Sequence, residues 1–160
     1  MRFILDGMLG KLTRWLRMMG HDALYLNDAQ DRDLVANAIR EHRILLTSDV
    51  ALYRYAAAHG TEAFLVKGRT EAERLASLAG RFQFDLSVDT TQSRCPACGS
   101  ELKTVSKDEV KTKVPETTLN VFEEFWACSN PDCGKVYWQG SHWDNINAIL
   151  ERARKIQNKE

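Results

Sequence analysis

The chain predicts an α/β protein: a parallel sheet with helices on both faces, then a small cysteine-bearing module and a last helix. Three observations carry this. Over the first 85 to 90 residues, four short apolar runs alternate with four stretches of helical periodicity. Strand and helix alternating in this way build a parallel sheet joined by right-handed crossovers. A polar stretch from Ser87 to Ser93 then breaks the pattern, and all four cysteines fall beyond it, between Cys95 and Cys133. The expected division is residues 1–90 and residues 93–160.

Arg2-Phe3-Ile4-Leu5 reads as the first strand, because strands covered on both faces look like continuous apolar runs. Met8, Leu12, Trp15, Leu16 and Met19 then follow helical spacing, with Lys11, Arg14 and Arg17 three apart on another face, and Gly20 ends the helix. Ala23 to Leu26 is the second strand. A polar turn from Asn27 to Gln30 leads to a helix that turns Leu34, Val35, Ala38 and Ile39 inward. The third strand, Arg43 to Thr47, is followed by a helix capped by Ser48 or Asp49 and stopped at Gly60. Glu62 to Val66 is the fourth strand, and Thr70 with Glu73 forms a capping box for a helix ending near Gly80. From Cys95 short strands and turns are expected, with Ser141 and Asp144 boxing the start of a final helix through Ile156.

At 160 residues, 44% hydrophobic and 28% charged, the composition is that of a soluble globular protein and excludes disorder or a fibre. The 22 basic and 22 acidic residues divide evenly, twelve of each before Ser93 and ten of each from it onward. No bulk basic excess announces a nucleic-acid binder, so any phosphate-binding surface is local. No apolar run approaches the roughly 18 residues that span a bilayer, and the N-terminus lacks a signal-peptide pattern. A cytoplasmic location without membrane attachment is expected; the oligomeric state is not encoded in any of these features.

Cys95-Pro96-Ala97-Cys98-Gly99 and Cys128 to Cys133-Gly134 each set two thiols on a tight turn with glycine after the second cysteine. Two such turns complete a closed tetrahedral four-sulfur site, the mark of structural zinc. So short a segment needs a staple of this kind. His142 is a weaker substitute, since four thiolates suffice. The aromatics around the site, Phe122, Phe125, Trp126, Tyr137, Trp138 and Trp143, either fill its small core or stack on unpaired bases. Trp138 and Trp143 are the best candidates for RNA contact.

Six aspartates lie within the first 49 residues, and two of them, Asp6 and Asp49, follow apolar strands. In open α/β sheets the ligand sits beyond the carboxyl ends of the strands. Asp31 opens the second helix and reaches the same edge. Carboxylates and water suit magnesium or manganese, and an ion so held neutralises a phosphodiester and activates its attacking water. Asp6, Asp31 and Asp49 are therefore expected to converge on a divalent ion, against the reading in which Asp31 and Asp49 are only helix caps. Asp28 and Asp33 are either a fourth ligand or solvated turn acids. Lys11, Arg14 and Arg17 either hold substrate phosphates or form an exposed face paired with nearby acids.

The run Leu5-Asp6-Gly7-Met8-Leu9-Gly10-Lys11-Leu12 with Arg14-Trp15-Leu16-Arg17, then Leu45-Leu46-Thr47-Ser48-Asp49, resembles the PIN-like RNase family found at the C-terminus of mutator-seven exonucleases and as free-standing prokaryotic proteins. Ser93-Arg94-Cys95-Pro96-Ala97-Cys98 and Tyr137-Trp138-Gln139-Gly140-Ser141-His142-Trp143 resemble that family's zinc-ribbon signature. The resemblance implies a PIN-like three-layer α/β/α domain followed by a zinc ribbon, with RNA cleavage at the acidic pocket. The PIN pattern is an acid after the first strand, an acid opening a helix as Asp-x-x-Leu/Ile, and an acid after a Thr-x-Asp strand. It falls here on Asp6, Asp31 with Leu34, and Asp49. A fourth acid is open between Asp28, Asp33 and none.

The competing class is a non-catalytic RNA-binding or adaptor module on the same fold. A phosphatase of the dehalogenase type would need a second Asp where Met8 stands, and a receiver domain pairs acids where Gly7 follows Asp6.

Overall fold

Successive strand residues point to opposite faces of a sheet, and the first strand, β1 (Arg2–Leu5), is apolar on both. In the computed structural model, which describes residues 1–159, β1 is central in a four-stranded parallel sheet of order β2-β1-β3-β4. Its neighbours are β2 (Asp22–Tyr25) and β3 (Ile44–Thr47), with β4 (Ala63–Leu65) outermost. Phe3 and Leu5 enter one core with Leu46, while Ile4 enters a second core with Leu45.

The helices sort to these faces by the direction of each crossover. After β1 the chain moves one strand outward through α1 (Gly10–Met18), then reverses across β1 through α2 (Asp31–Glu41) to β3 and onward through α3 (Val50–Ala58) to β4. Because crossovers keep one hand, the reversal puts α1 on one face and α2 with α3 on the other. The point of reversal lies between β1 and β3, and in open α/β sheets ligands sit beyond the carboxyl ends of strands at such a point. At the opposite ends of the strands, buried Arg43 donates to the Asp22 carboxylate at 2.9 Å and to Glu41 at 2.7 Å. Asp22 thus belongs to the scaffold.

Helix α4 (Glu71–Phe82) starts at the expected capping box of Thr70 and Glu73. It runs past Gly80, where a stop was expected, and ends with Gln83 in the left-handed region at φ 55°. In the cysteine module, β5 (Leu102–Val105), β6 (Phe125–Cys128) and β7 (Val136–Tyr137) form an antiparallel sheet. Two short helices, α5 (Lys107–Val110) and α6 (Glu116–Val121), lie between β5 and β6 where only strands and turns were expected. A capping box of Ser106 and Glu109 starts the first of them. Val110, Val114 and Phe125 make the module's own small core.

The last helix, α7 (His142–Gln157), does not belong to that core. Leu150 and Ala153 join the sheet's first core beside Leu75, Leu78 and Ala79 of α4, and Arg154 donates to the Leu86 carbonyl oxygen at 2.6 Å. The C-terminal helix, which follows the ribbon in sequence, packs on α4 of the sheet domain. The expected box at its start is not formed, because Ser141 is already helical and its side chain caps nothing. No helix among the described residues is long and apolar enough to cross a membrane.

Candidate active site and metal centre

Both strand-end acids are placed by the turns that follow them. Asp6 is buried and caps a single 3-10 turn over Gly7–Leu9, its Oδ1 accepting from the Met8 amide at 2.8 Å. The turn lies so close to the end of β2 that a Cβ at Gly7 would stand 2.5 Å from the Asn27 carbonyl oxygen. Asp49 caps α3, its Oδ1 accepting from the amides of Ala51 at 2.7 Å and Leu52 at 3.3 Å. Its other oxygen has no partner among the described residues and faces solvent-exposed surroundings.

Thr47, fully buried, joins the two acids. Its hydroxyl donates to Asp6 Oδ2 and accepts from the Asp49 amide at 2.9 Å. Sequence reasoning does not give Thr47 a role of its own; the available signal is its place at the last position of β3, two residues before Asp49. Asp31 is the first residue of α2, with Gln30 at the cap position, so the alternative in which Asp31 is only a helix cap does not hold. It is exposed and makes no hydrogen bond or ion pair among the described residues. Asp28 is exposed in the preceding turn, and Asp33 is exposed beside Arg32 at 3.7 Å.

The three acids do not gather as tightly as expected. Among the described residues, only the four cysteines form a group of three or more whose ligand atoms lie within 4.8 Å of one another. One oxygen of each of Asp6 and Asp49 is taken up by the amides of the turn or helix that follows it.

The cysteine cluster meets the requirement of a metal. Four sulfurs around zinc at about 2.3 Å lie about 3.8 Å apart at the tetrahedral angle. Here Cys95 and Cys133 Sγ are 3.8 Å apart, and Cys98 and Cys128 Sγ are 3.4 Å apart. The Tyr137 hydroxyl donates to Cys95 Sγ at 3.1 Å. Burial opposes ionisation of Cys98, but hydrogen bonds from the Ser100 hydroxyl and amide outweigh it and bring the thiol down to about 6. Burial pushes Cys128 up to about 12. A cation's field is what brings such a set to thiolates together, so the four cysteines could bind zinc.

Arg17, expected on an exposed basic face, is buried. Its Nε donates to the Ala23 carbonyl oxygen at 2.9 Å, and its Nη1 donates to those of Pro96 at 3.1 Å and Ala97 at 3.0 Å. It therefore fastens α1 to the first cysteine turn and does not belong to an exposed basic face. Burial pulls its pKa below the ordinary value, against the attraction of the Cys98 and Cys95 sulfurs. The physical reason for the misplacement is angular: each three-residue step falls about 60° short of a full turn, so Arg17 sits about 120° around α1 from Lys11. Lys11 and Arg14 are exposed, as expected. Trp138 and Trp143 are half-buried, and Trp138 packs on Phe125 with ring centroids 6.2 Å apart.

A parallel sheet with acids at the carboxyl ends of two adjacent strands, tied to a four-cysteine module, defines the class: an α/β domain with an appendage that could bind metal. The family model described as Mut7-C RNAse domain matches residues 1–150. The chain belongs to that family, and membership points to a ribonuclease-related function. No curated protein and no solved structure matches the chain.

Proposed function

We propose that the protein is a metal-dependent ribonuclease of PIN-like fold that hydrolyses RNA phosphodiester bonds at the crevice between β1 and β3. The observation that carries this is the Asp6–Thr47–Asp49 unit. A buried carboxylate at the end of the central strand is held by one amide and one hydroxyl, and that hydroxyl also fixes the backbone amide of Asp49, whose outer carboxylate oxygen is free. The same side chain thus positions both strand-end acids. Asp6, Asp49 and Asp31 are the residues that would hold magnesium or manganese. Magnesium takes only one or two carboxylates directly and keeps several waters, so three acids in looser array still suit it. When bound, such an ion neutralises phosphate charge and lowers the pKa of the attacking water.

The chain's own residues do the rest. The Met8 amide and the Thr47 hydroxyl both donate to Asp6 and hold its carboxylate in place. Lys11 and Arg14, exposed on α1 just beyond the crevice, attract the RNA backbone. The ribbon, stapled by zinc at Cys95, Cys98, Cys128 and Cys133, presents Trp138 and Trp143 to the bases. Water then attacks phosphorus in line, forming one P–O bond as the opposite one breaks.

The wider spacing of the acids favours a second reading, a non-catalytic RNA-binding module that keeps the fold. Cleavage of labelled RNA in Mg²⁺ or Mn²⁺ by the wild type, Asp6→Asn and Asp31→Asn separates them. Asp31 has no partner to lose, so Asp31→Asn leaves stability unchanged and isolates function. The nuclease reading expects both variants to lose activity by at least tenfold and calorimetric metal binding to weaken in parallel. Wild-type protein that binds RNA but neither cleaves it nor binds divalent metal would establish the adaptor.

A further inference from the structure

A cavity of about 800 Å³ lies away from the acids, in the seam between the outer part of α1, the 88–94 connection, the ribbon sheet and the start of α7. Three of the chain's four tryptophans, Trp126, Trp138 and Trp143, line it. Arg14 and Arg94 also line it, and no carboxylate does among the described residues. In a chain with 22 acids against 22 bases, an acid-free wall carrying two arginines is complementary to an anion.

We propose that this groove holds unpaired bases of a single-stranded RNA segment leading to the strand-end acids, so that the protein selects single strands over duplex. The direction of that strand rests on the ribonuclease reading; the groove's own chemistry does not. Aromatic faces interleaved with cations match bases interleaved with phosphates, and stacking tolerates any base because every base has a π-face. Paired bases have their faces covered by stacked neighbours and cannot enter such a groove.

The platform is held rigidly. Trp126 pairs with Tyr137 in the register of β6 and β7, and Trp138 follows directly and packs on Phe125. Its indole edge lies against Gly140, where a Cβ would come within 2.9 Å of Nε1. Little side-chain entropy is left to lose on binding, which favours affinity. Helix α1 links the acids to the groove. From the helix start at Gly10, four residues beyond Asp6, the lip at Arg14 is reached after about 6 Å of axis, with exposed Lys11 between.

The test is fluorescence anisotropy on zinc-loaded full-length protein without added magnesium or manganese, using labelled oligo-U and a blunt RNA duplex of equal length. Single-strand affinity should exceed duplex affinity at least tenfold. Trp143→Ala should weaken oligo-U binding by about 5- to 150-fold, the range for one stacked base, while Trp143→Phe retains most of it. Arg14→Gln, on an exposed site of α1 where folding is not at risk, should reduce the salt slope by about 0.7. Equal affinity for the two RNAs, or oligo-U binding indifferent to both Trp143→Ala and Arg14→Gln, would overturn the proposal; the second result leaves a protein segment as the occupant. The assay reads the groove without turnover, so cleavage retained in both the Asp6 and Asp31 variants, or absent from the wild type, with binding intact counts against the nuclease reading alone.

Discussion

Replacing Arg17 by methionine should destabilise the whole protein, because the residue ties α1 to the first cysteine turn. The change preserves much of the side chain's volume and removes the donors that reach three carbonyl oxygens, those of Ala23, Pro96 and Ala97. Hydrogen bonds from a charged donor are worth about 1.5–3 kcal/mol each. The cost of burying a guanidinium is recovered when it is removed, which offsets part of the loss. Three carbonyl oxygens left without those donors cost about 1–3 kcal/mol each where they stay buried, and after that offset about 3–5 kcal/mol is expected. For a protein of this size each kcal/mol moves the melting temperature by about 2–4 °C, so calorimetry should show a fall of about 6–20 °C. Arg17→Lys should fall between wild type and Arg17→Met, since one ammonium cannot span three carbonyls arranged for a planar fork. Arg14→Gln, one turn earlier and exposed, should stay within about 0.5 kcal/mol. An Arg17→Met protein melting within about 2 °C of wild type would refute the reasoning.

The cysteine cluster predicts about one zinc per chain by elemental analysis. Cys98→Ser should loosen residues after Ser93 and, through the carbonyls that Arg17 grips, also raise hydrogen exchange at the end of α1; exchange confined to the ribbon would contradict that coupling. His21 packs between the rings of Phe3 and Phe84, at 5.6 and 4.6 Å, and burial lowers its pKa to about 4. Between about pH 6.5 and 4 the unfolded chain therefore binds more protons at this residue than the folded one, so stability falls as pH falls through that window. Urea midpoints at pH 7 and 5 should drop more for wild type than for His21→Phe, and equal drops would remove His21 as the cause.

The sheet was legible because every strand is a short apolar run and every crossover helix has its own punctuation. Thr70 and Glu73 cap as read, and Gly20 and Gly60 stop their helices with positive φ of 87° and 73°. Gly80 misleads because glycine permits a stop without requiring one, and α4 continues while Phe82 packs on the first core. The capping box at Ser106 was present in the sequence, masked by the expectation that a cysteine ribbon is all strand and turn. At the site, the placement of Asp6 and Asp49 followed from the strand ends, whereas their orientation depended on amides and on Thr47. Arg17 was illegible for a different reason: two of its acceptors lie 79 and 80 residues away, and no local periodicity encodes a partner at that distance.

The return of α7 to α4 has a kinetic side. The two helices are separated by the entire ribbon, from Phe82 to His142, and their contact is among the least local in the chain. Contacts of this kind form late, because the entropy of closing the intervening loop is lost before the packing rewards it. During synthesis the apolar side of α4 stays uncovered until Leu150 and Ala153 have left the ribosome, long after the four parallel strands are complete. Between those two moments the four cysteines emerge. Once they close on an ion, Cys95 and Cys133 become neighbours and the effective loop between α4 and α7 shortens by most of the ribbon. Metal supply would then set the time for which the sheet domain remains open to aggregation or proteolysis, even though no ligand of that metal lies within the domain itself.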